Sequence, residues 1–139
     1  MRGVIFPWHC DMMGHCSVQH QLPLLDNAVY HLLGEFGPAV VQVDGQRRGW
    51  ADVRQEIEYR QELVAGDLVI LRSGIVRIGT SSLRHRTVLS RRSDGGACTI
   101  MEATTVRFDL DARQAIPLSA AERATAEQLH ISAKEEGNS

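Results

Sequence analysis

Ser17-Val18-Gln19-His20-Gln21-Leu22-Pro23-Leu24-Leu25-Asp26-Asn27-Ala28-Val29-Tyr30-His31-Leu32-Leu33-Gly34 is the most strongly periodic stretch of the chain. Leu22, Leu25, Ala28, Val29, Leu32, Leu33 and, just beyond, Phe36 recur at three- and four-residue spacing, which sets them on one face of a helix. Ser17 is placed to cap its start, and Pro23 is expected in the first turn, where a missing N–H is tolerated. Gly34 and Gly37-Pro38 stop it. A helix with so wide an apolar stripe needs a surface to bury it against.

The rest of the chain supplies that surface. After the helix the pattern changes to period two, the signature of strands with one wet face. Ala39 to Asp44, Trp50 to Leu63, Leu68 to Ile78, Ser82 to Arg92 and Ala97 to Asp109 read as strands. Turns separate them at Gly45-Gln46, Ala65-Gly66-Asp67, Gly79-Thr80 and Asp94-Gly95-Gly96. The second strand leaves room for a bulge among its charged residues, and Gly74 reads as a kink in the third. Upstream, Arg2 to Trp8 reads as a short strand, followed by a dense polar loop, Cys10-Asp11-Met12-Met13-Gly14-His15-Cys16-Ser17. At the other end, Ser119 and Glu122 form a capping box for a short helix running to Ile131. Lys134 to Ser139 is expected to be a frayed polar tail. One strand, one long helix and about five antiparallel strands make an α+β domain spanning 1–139, with a sheet wrapped around the helix. Such a sheet leaves strand edges open and the helix half covered. A second copy pairing along an edge closes both gaps, so at least a homodimer is expected.

Composition narrows the function classes. The 139 residues suit one domain with one core, and 43% apolar with 23% charged residues is ordinary for a globular protein. Fifteen basic against seventeen acidic residues give a net charge of -2, so no basic field points to nucleic acid or to a membrane surface. Met1 to Trp8 is too short an apolar run for a signal peptide, and nothing approaches the roughly 18 apolar residues of a membrane span. Three cysteines without a scaffold spacing fit a reducing compartment, so a cytoplasmic location is expected.

The run Val4-Ile5-Phe6-Pro7-Trp8-His9-Cys10-Asp11-Met12-Met13-Gly14-His15 ahead of the apolar helix resembles the signature of the 4-hydroxybenzoyl-CoA thioesterase family. Ile57-Glu58-Tyr59-Arg60-Gln61-Glu62-Leu63-Val64-Ala65-Gly66-Asp67 is similar to that family's third strand and turn. Ile78-Gly79-Thr80-Ser81-Ser82-Leu83 resembles the start of the next long strand, and Pro117-Leu118 precedes the terminal helix as in the family. These matches span nearly the whole chain in the right order. They imply a hotdog fold, hydrolysis of an acyl-CoA thioester, and assembly as a homodimer or homotetramer. One departure bears on the substrate: family members often carry an amide just after Gly-His and an aromatic a few residues later, where this chain has Cys16, Ser17 and Gln21.

Thioester hydrolysis needs a nucleophile or an activated water, and a place for the negative charge on the carbonyl oxygen. The resemblance assigns the first role to Asp11, attacking directly or acting as general base on water. It assigns the second to the helix N-terminus, through the backbone N–H of Val18 with Gln19 beside it. Gly14 lets the loop pass close to substrate. His15 would orient the substrate, and Glu62 could hold water. Ser81 and Ser82 would contact the CoA arm, with Arg84, Arg86, Arg91 or Arg92 meeting its phosphates. A plainer role stands beside each: a turn cap for Asp11, a loop-bracing histidine, a solvated glutamate, the wet face of a strand. His9, Cys10, Asp11, His15, Cys16 and His20 are all metal-ligand types, but they follow no standard ligand spacing, so neither metal nor cofactor is expected. Two other readings fit the same fold, a non-catalytic acyl-CoA binding module and a hotdog enoyl-CoA hydratase. For the second, Asp11 and His15 lie too close in one loop to straddle an acyl chain.

Overall fold

Leu25, Ala28, Val29 and Leu32 are buried along α1 (Val18–Gly34), so the periodic stripe does become the packed face of a helix. The computed structural model describes residues 1–132, and the expected tail from Lys134 to Ser139 lies outside them. Ser17 holds the N-cap position, but its hydroxyl bonds His20 Nδ1 at 2.9 Å and makes no bond to the helix backbone. Pro23 falls in the second turn instead of the first, where it removes the bond that an N–H would make to the Gln19 carbonyl. The stripe is also rotated from the expected one. Leu22 is 37% exposed, and Gln21 is buried in its place. Gln21 tolerates burial because both ends of its amide are bonded: Nε2 donates to Cys16 O at 3.3 Å, and Oε1 accepts from Thr99 Oγ1.

The described residues form a 7-stranded antiparallel sheet in the order β1-β4-β5-β6-β3-β2, with β7 extending β6. The strands are β1 (Arg2–Val4), β2 (Val41–Val43), β3 (Gln46–Tyr59), β4 (Leu68–Ile78), β5 (Ser82–Arg91), β6 (Ala97–Asp109) and β7 (Gln114–Ala115). The first strand is shorter than expected. Pro7 cannot donate to a ladder, and Pro7–His9 forms one turn of 3-10 helix instead. The expected bulge in β3 appears as a register shift between Asp52 and Arg54. In β4 the register shifts between Ile75 and Arg77, beside Gly74. A Cβ on Gly74 would lie 2.5 Å from Ile131 Cγ2, so glycine is what admits the segment after the second helix against this strand. That segment bonds β4 through Ile75 N to Leu129 O at 3.0 Å and Ile131 N to Ile75 O at 2.8 Å.

The sheet curves around α1 in the hotdog arrangement. Along β5, Leu83, His85, Thr87 and Leu89 alternate inward, and along β6 Thr99, Met101, Ala103, Thr105 and Arg107 do the same. Leu25, Ala28 and Val29 pack with Ile5, Leu63, Val69, Leu71, Leu89, Cys98 and Met101. Leu32 joins Ile75, Leu83, Leu118 and Ala126 in a second cluster, nearer the C-terminal helix α2 (Ala120–Gln128).

The capping box of α2 forms as expected. Ser119 Oγ accepts from Glu122 N at 3.1 Å, and Glu122 Oε1 accepts from Ser119 N at 2.8 Å. Glu122 also lies 2.7 Å from the Nε of Arg107 and 2.9 Å from the Nη2 of Arg48. The Arg107 contact is close as an ion pair but not in line as a hydrogen bond. The Arg107 guanidinium reaches Gly49 O at 3.1 Å and sits 4.3 Å from the Trp50 ring centroid. Burial pushes the Glu122 carboxyl up. The Ser119 N–H and the two guanidiniums outweigh that effect and hold it below its ordinary value of 4.5. Glu122→Ala leaves Arg107 buried without its counter-charge, and denaturant unfolding should show a loss of about 3–5 kcal/mol. Because the folded carboxyl titrates below the unfolded one, its contribution is full above the ordinary value and disappears as pH falls below it. The parent's melting temperature should therefore drop on acidification through this range, and the alanine variant's drop should be smaller.

Candidate active site

A short antiparallel bridge closes the loop that follows the 3-10 turn. Cys10 pairs with Cys16, flanked by Asp11 N to His15 O and Ser17 N to His9 O, each at 2.9 Å. Gly14, at φ +81°, makes the reversal that a side chain would strain. Its N–H returns to Asp11 O at 3.0 Å. The Asp11 side chain takes part in the same turn, with Oδ1 accepting from Met13 N at 2.9 Å and from His15 N at 3.4 Å. Among the described residues no donor meets Oδ2. One carboxylate oxygen thus shapes the loop, and the other accepts no bond from the described residues, so the plain capping role leaves half of the carboxylate unused. Asp11, Met12, Met13 and Gly14 are all exposed in the single chain.

The loop rests on the segment between β3 and β4. Cys16 N donates to Leu63 O at 2.7 Å. His15 Nε2 lies 2.9 Å from Glu62 Oε2, so two residues singled out separately in the sequence meet. Arg91 holds that segment in shape. Its guanidinium donates to Glu62 O, to Gln61 Oε1 at 3.2 Å and to Asp94 Oδ2 at 3.0 Å, and its Nε lies 3.5 Å from Asp67 Oδ2. This role differs from the phosphate contact considered for Arg91. At the start of α1, His20 N and Gln21 N turn back to Ser17 O at 3.0 Å, whereas the N–H groups of Val18 and Gln19 have no acceptor among the described residues. The chain therefore holds an available carboxylate oxygen and two unpaired amides at one end of the domain.

Two hollows follow α1 away from that end. Leu22, Asp26, Gln55 and Met101 line one of about 210 Å³. Asp26 also lines the next, again about 210 Å³, with Val29, Tyr30, Trp50 and Asp52. Asp26 follows Val18 by eight residues, about 12 Å along a helix axis. Asp52 accepts from Thr105 Oγ1 at 2.9 Å, and Thr105 Oγ1 lies 2.8 Å from Nε2 of the buried His85. With the threonine proton directed to Asp52, the imidazole carries its proton on Nε2 and leaves Nδ1 bare, and Nδ1 has no partner among the described residues. Burial pushes the His85 imidazole below its ordinary value, against the pull of Asp52.

Ser81 and Ser82 stand at the opposite end of β5, a strand whose ten residues span about 30 Å. Within one chain they do not meet Asp11. Ser81 O accepts from Arg107 N at 2.7 Å, and Ser82 O from Gly79 N at 2.8 Å. Arg84 and Arg86 pair with Glu102 on the outer face. Arg92 and Arg2 line a surface groove of about 260 Å³ with Gly3, Val4, Leu68, Val69 and Ile70. Among the described residues no group of three His, Cys, Asp or Glu side chains is arranged to hold a metal ion, and no helix is long and apolar enough to cross a membrane.

A family model described as the thioesterase-like superfamily matches residues 5–130. The chain belongs to that superfamily. Solved structures of similar fold include the YbaW probable thioesterase from Escherichia coli, with TM-score 0.77 and 20% identity over 94% of this chain and 98% of that one. A thioesterase complexed with coenzyme A and Zn from Thermus thermophilus has TM-score 0.75 and 22% identity over 93% and 92%. The protein SAV2348 from Staphylococcus aureus, in complex with CoA, has TM-score 0.82 and 12% identity over 95% and 85%. No curated protein matches the sequence.

Two residues that brace the Asp11 loop, Gln21 and Arg91, were not expected in that role. Gln21 was visible as a polar residue four before Leu25, on the apolar face. For Arg91 only Asp94 is local, three residues on, whereas Gln61, Glu62 and Asp67 come from the distant connection between β3 and β4. Gln21→Leu removes the amide that joins Cys16 O to Thr99 Oγ1. It should destabilise the protein by about 1–3 kcal/mol by leaving those groups unmatched. Hydrogen exchange at the Cys16 amide should accelerate beyond the global change, which distinguishes a loosened loop from a uniformly weaker fold.

Proposed function

We propose that this member of the superfamily hydrolyses an acyl-CoA thioester to the free acid and CoA, in the manner of the 4-hydroxybenzoyl-CoA thioesterases. The observation that carries the reading is Asp11, with Oδ1 tied into its own turn and Oδ2 without a donor among the described residues, in the loop that leads into the unpaired amides of Val18 and Gln19. Oδ2 attacks the thioester carbonyl to give an anhydride, or takes a proton from a water that attacks instead. The carbonyl oxygen becomes an oxyanion facing the helix N-terminus, where the N–H of Val18, with Gln19 beside it, stabilises it. The CoA thiolate leaves, and on the anhydride route water then cleaves the anhydride to release the free acid and restore the Asp11 carboxylate. Gly14 keeps the loop low beside the thioester, and His15, braced by Glu62, orients the substrate. The hollows along α1 offer the acyl group a path from Leu22 past Asp26. A hydratase would need its histidine free on the far side of the acyl chain, whereas His15 is engaged by Glu62 in the aspartate's own loop.

The reading includes a second copy. β3 pairs with β2 only through Gln46 to Arg48, so one edge of β3 from Gly49 to Tyr59 has no neighbour among the described residues. Val53 and Tyr59 on it are exposed, as are Met12 and Met13 in the loop. Pairing two β3 edges satisfies those backbone groups and brings a partner surface toward the loop. Light scattering at micromolar concentration should give twice the chain mass or a multiple of it, and a monomer would refute the assembly.

Asp11→Asn tests the chemistry directly. The asparagine Oδ1 keeps the bonds to Met13 N and His15 N, so the loop survives while the free oxygen becomes an amide nitrogen. Release of free thiol from the best substrate in an acyl-CoA panel should fall by on the order of a hundredfold or more. KM and melting temperature should change little. An asparagine variant turning over at the parent rate would exclude the mechanism.

A further inference from the structure

The Asp11 loop is closed at its base by two thiols. Cys10 and Cys16 oppose each other in an isolated antiparallel bridge, and the bonds on either side of it join their neighbours, Asp11 to His15 and Ser17 to His9. Their own N–H groups point away, Cys10 N to Pro7 O at 3.1 Å and Cys16 N to Leu63 O at 2.7 Å. This is the non-hydrogen-bonded kind of pair, in which opposed Cα atoms lie about 4.5 Å apart and both side chains leave the same face. Disulfides bridge Cα separations of about 4.4–6.8 Å, so the backbone already has the required spacing. Cys10 packs against the cluster containing Cys16. Each sulfur is held only weakly, Cys10 Sγ to Phe6 O and Cys16 Sγ to Ser17 O, both at 3.8 Å. All three cysteines are free thiols, and the remaining one, Cys98, is buried with its Sγ 3.5 Å from Gly96 O.

We propose that Cys10 and Cys16 are a dithiol modification site that reacts with disulfides of low-molecular-weight thiols and closes to an intramolecular disulfide beneath Asp11. Cys10 is half-buried and is the thiol a reagent can reach. Its thiolate attacks one sulfur of the small disulfide, forming a mixed disulfide and releasing one small thiolate. Cys16 then loses its proton and attacks Cys10 Sγ, forming the Cys10–Cys16 bond and expelling the second small thiolate. The protein gives up two electrons and two protons, and the small disulfide is reduced to two thiols. Burial, with Cys10 and Asp11 beside it, pushes the Cys16 thiol up to about 11, so Cys16 is a poor first attacker, and its place opposite Cys10 in the bridge is what makes the second step favourable. The disulfide of CoA belongs to the same reagent class, and the proposed hydrolysis releases CoA thiol at this loop, but the site needs no catalysis to be tested.

The test treats the purified full chain, without air, with excess oxidised glutathione at about pH 8, where an ordinary thiol is partly ionised. Samples are quenched with acid, and remaining thiols are alkylated before intact-mass and peptide analysis. The parent should lose the mass of two hydrogens, yield a Cys10–Cys16 cross-linked peptide, release two glutathiones per chain and return to its starting mass with dithiothreitol. Cys16→Ser should stop at a glutathione adduct on Cys10, and Cys98→Ser should behave as the parent. A parent chain that stops at the glutathione adduct, does not react at all, or cross-links through Cys98 overturns the proposal.

Discussion

The bond from Cys16 N–H to Leu63 O, 2.7 Å long and between two buried residues, joins the three parts on which the site depends. It ties the end of the Asp11 loop and the start of α1 to the connection between β3 and β4. Water cannot replace it there, so opening it would leave a buried donor and acceptor unmatched. Other bonds reinforce the same joint. Gly66 N reaches back to Ile5 O at 2.7 Å, and Asp67 Oδ2 accepts from Val64 N at 2.9 Å. The end of the loop and the helix amides are therefore anchored to the core, and the loop's own bonds carry that placement on to Asp11. That is the condition under which dipoles at a helix start can act without reorganising during reaction.

The inner face of the sheet is more polar than a hotdog core needs for burial alone. Thr99 meets Gln21, Thr105 bridges His85 to Asp52, and Arg107 meets Glu122, in that order along β6. Each polar group is placed opposite a partner from another element, and such networks specify one packing of helix against sheet more strictly than apolar contact does. Of the three, the central one borders a hollow, through Asp52.

Periodicity made the helix and the long strands legible, because each of their patterns extends over ten or more residues. β4 and β6 have the bounds expected of them, whereas β1 is cut short by a proline, and β3 begins four residues earlier than its apolar pattern does. The candidate site was marked in the sequence by its loop, where Asp11, Gly14 and His15 stand close together. The meeting of His15 with Glu62 was not, because it depends on the distant register that brings Leu63 under Cys16. The Ser17 hydroxyl failed its expected role for a similar reason: His20, one turn on, competes for it. Propensity places a residue at a helix end, but local competition decides which atom it bonds.

The far end of the sheet gives the Arg107–Glu122 pair a further meaning. It secures α2 at the end of β5 where Ser82 lies, while Asp11 sits beyond the other end of the barrel-like curve. The buried ion pair and the Asp11 loop thus lie in separate neighbourhoods of one small domain. On the proposed function, residues around the acyl path can drift through destabilising changes, as new specificities often require, while the ion pair at α2 helps to keep the chain folded. A fold arranged in this way is well suited to diversify its acyl preference by small steps.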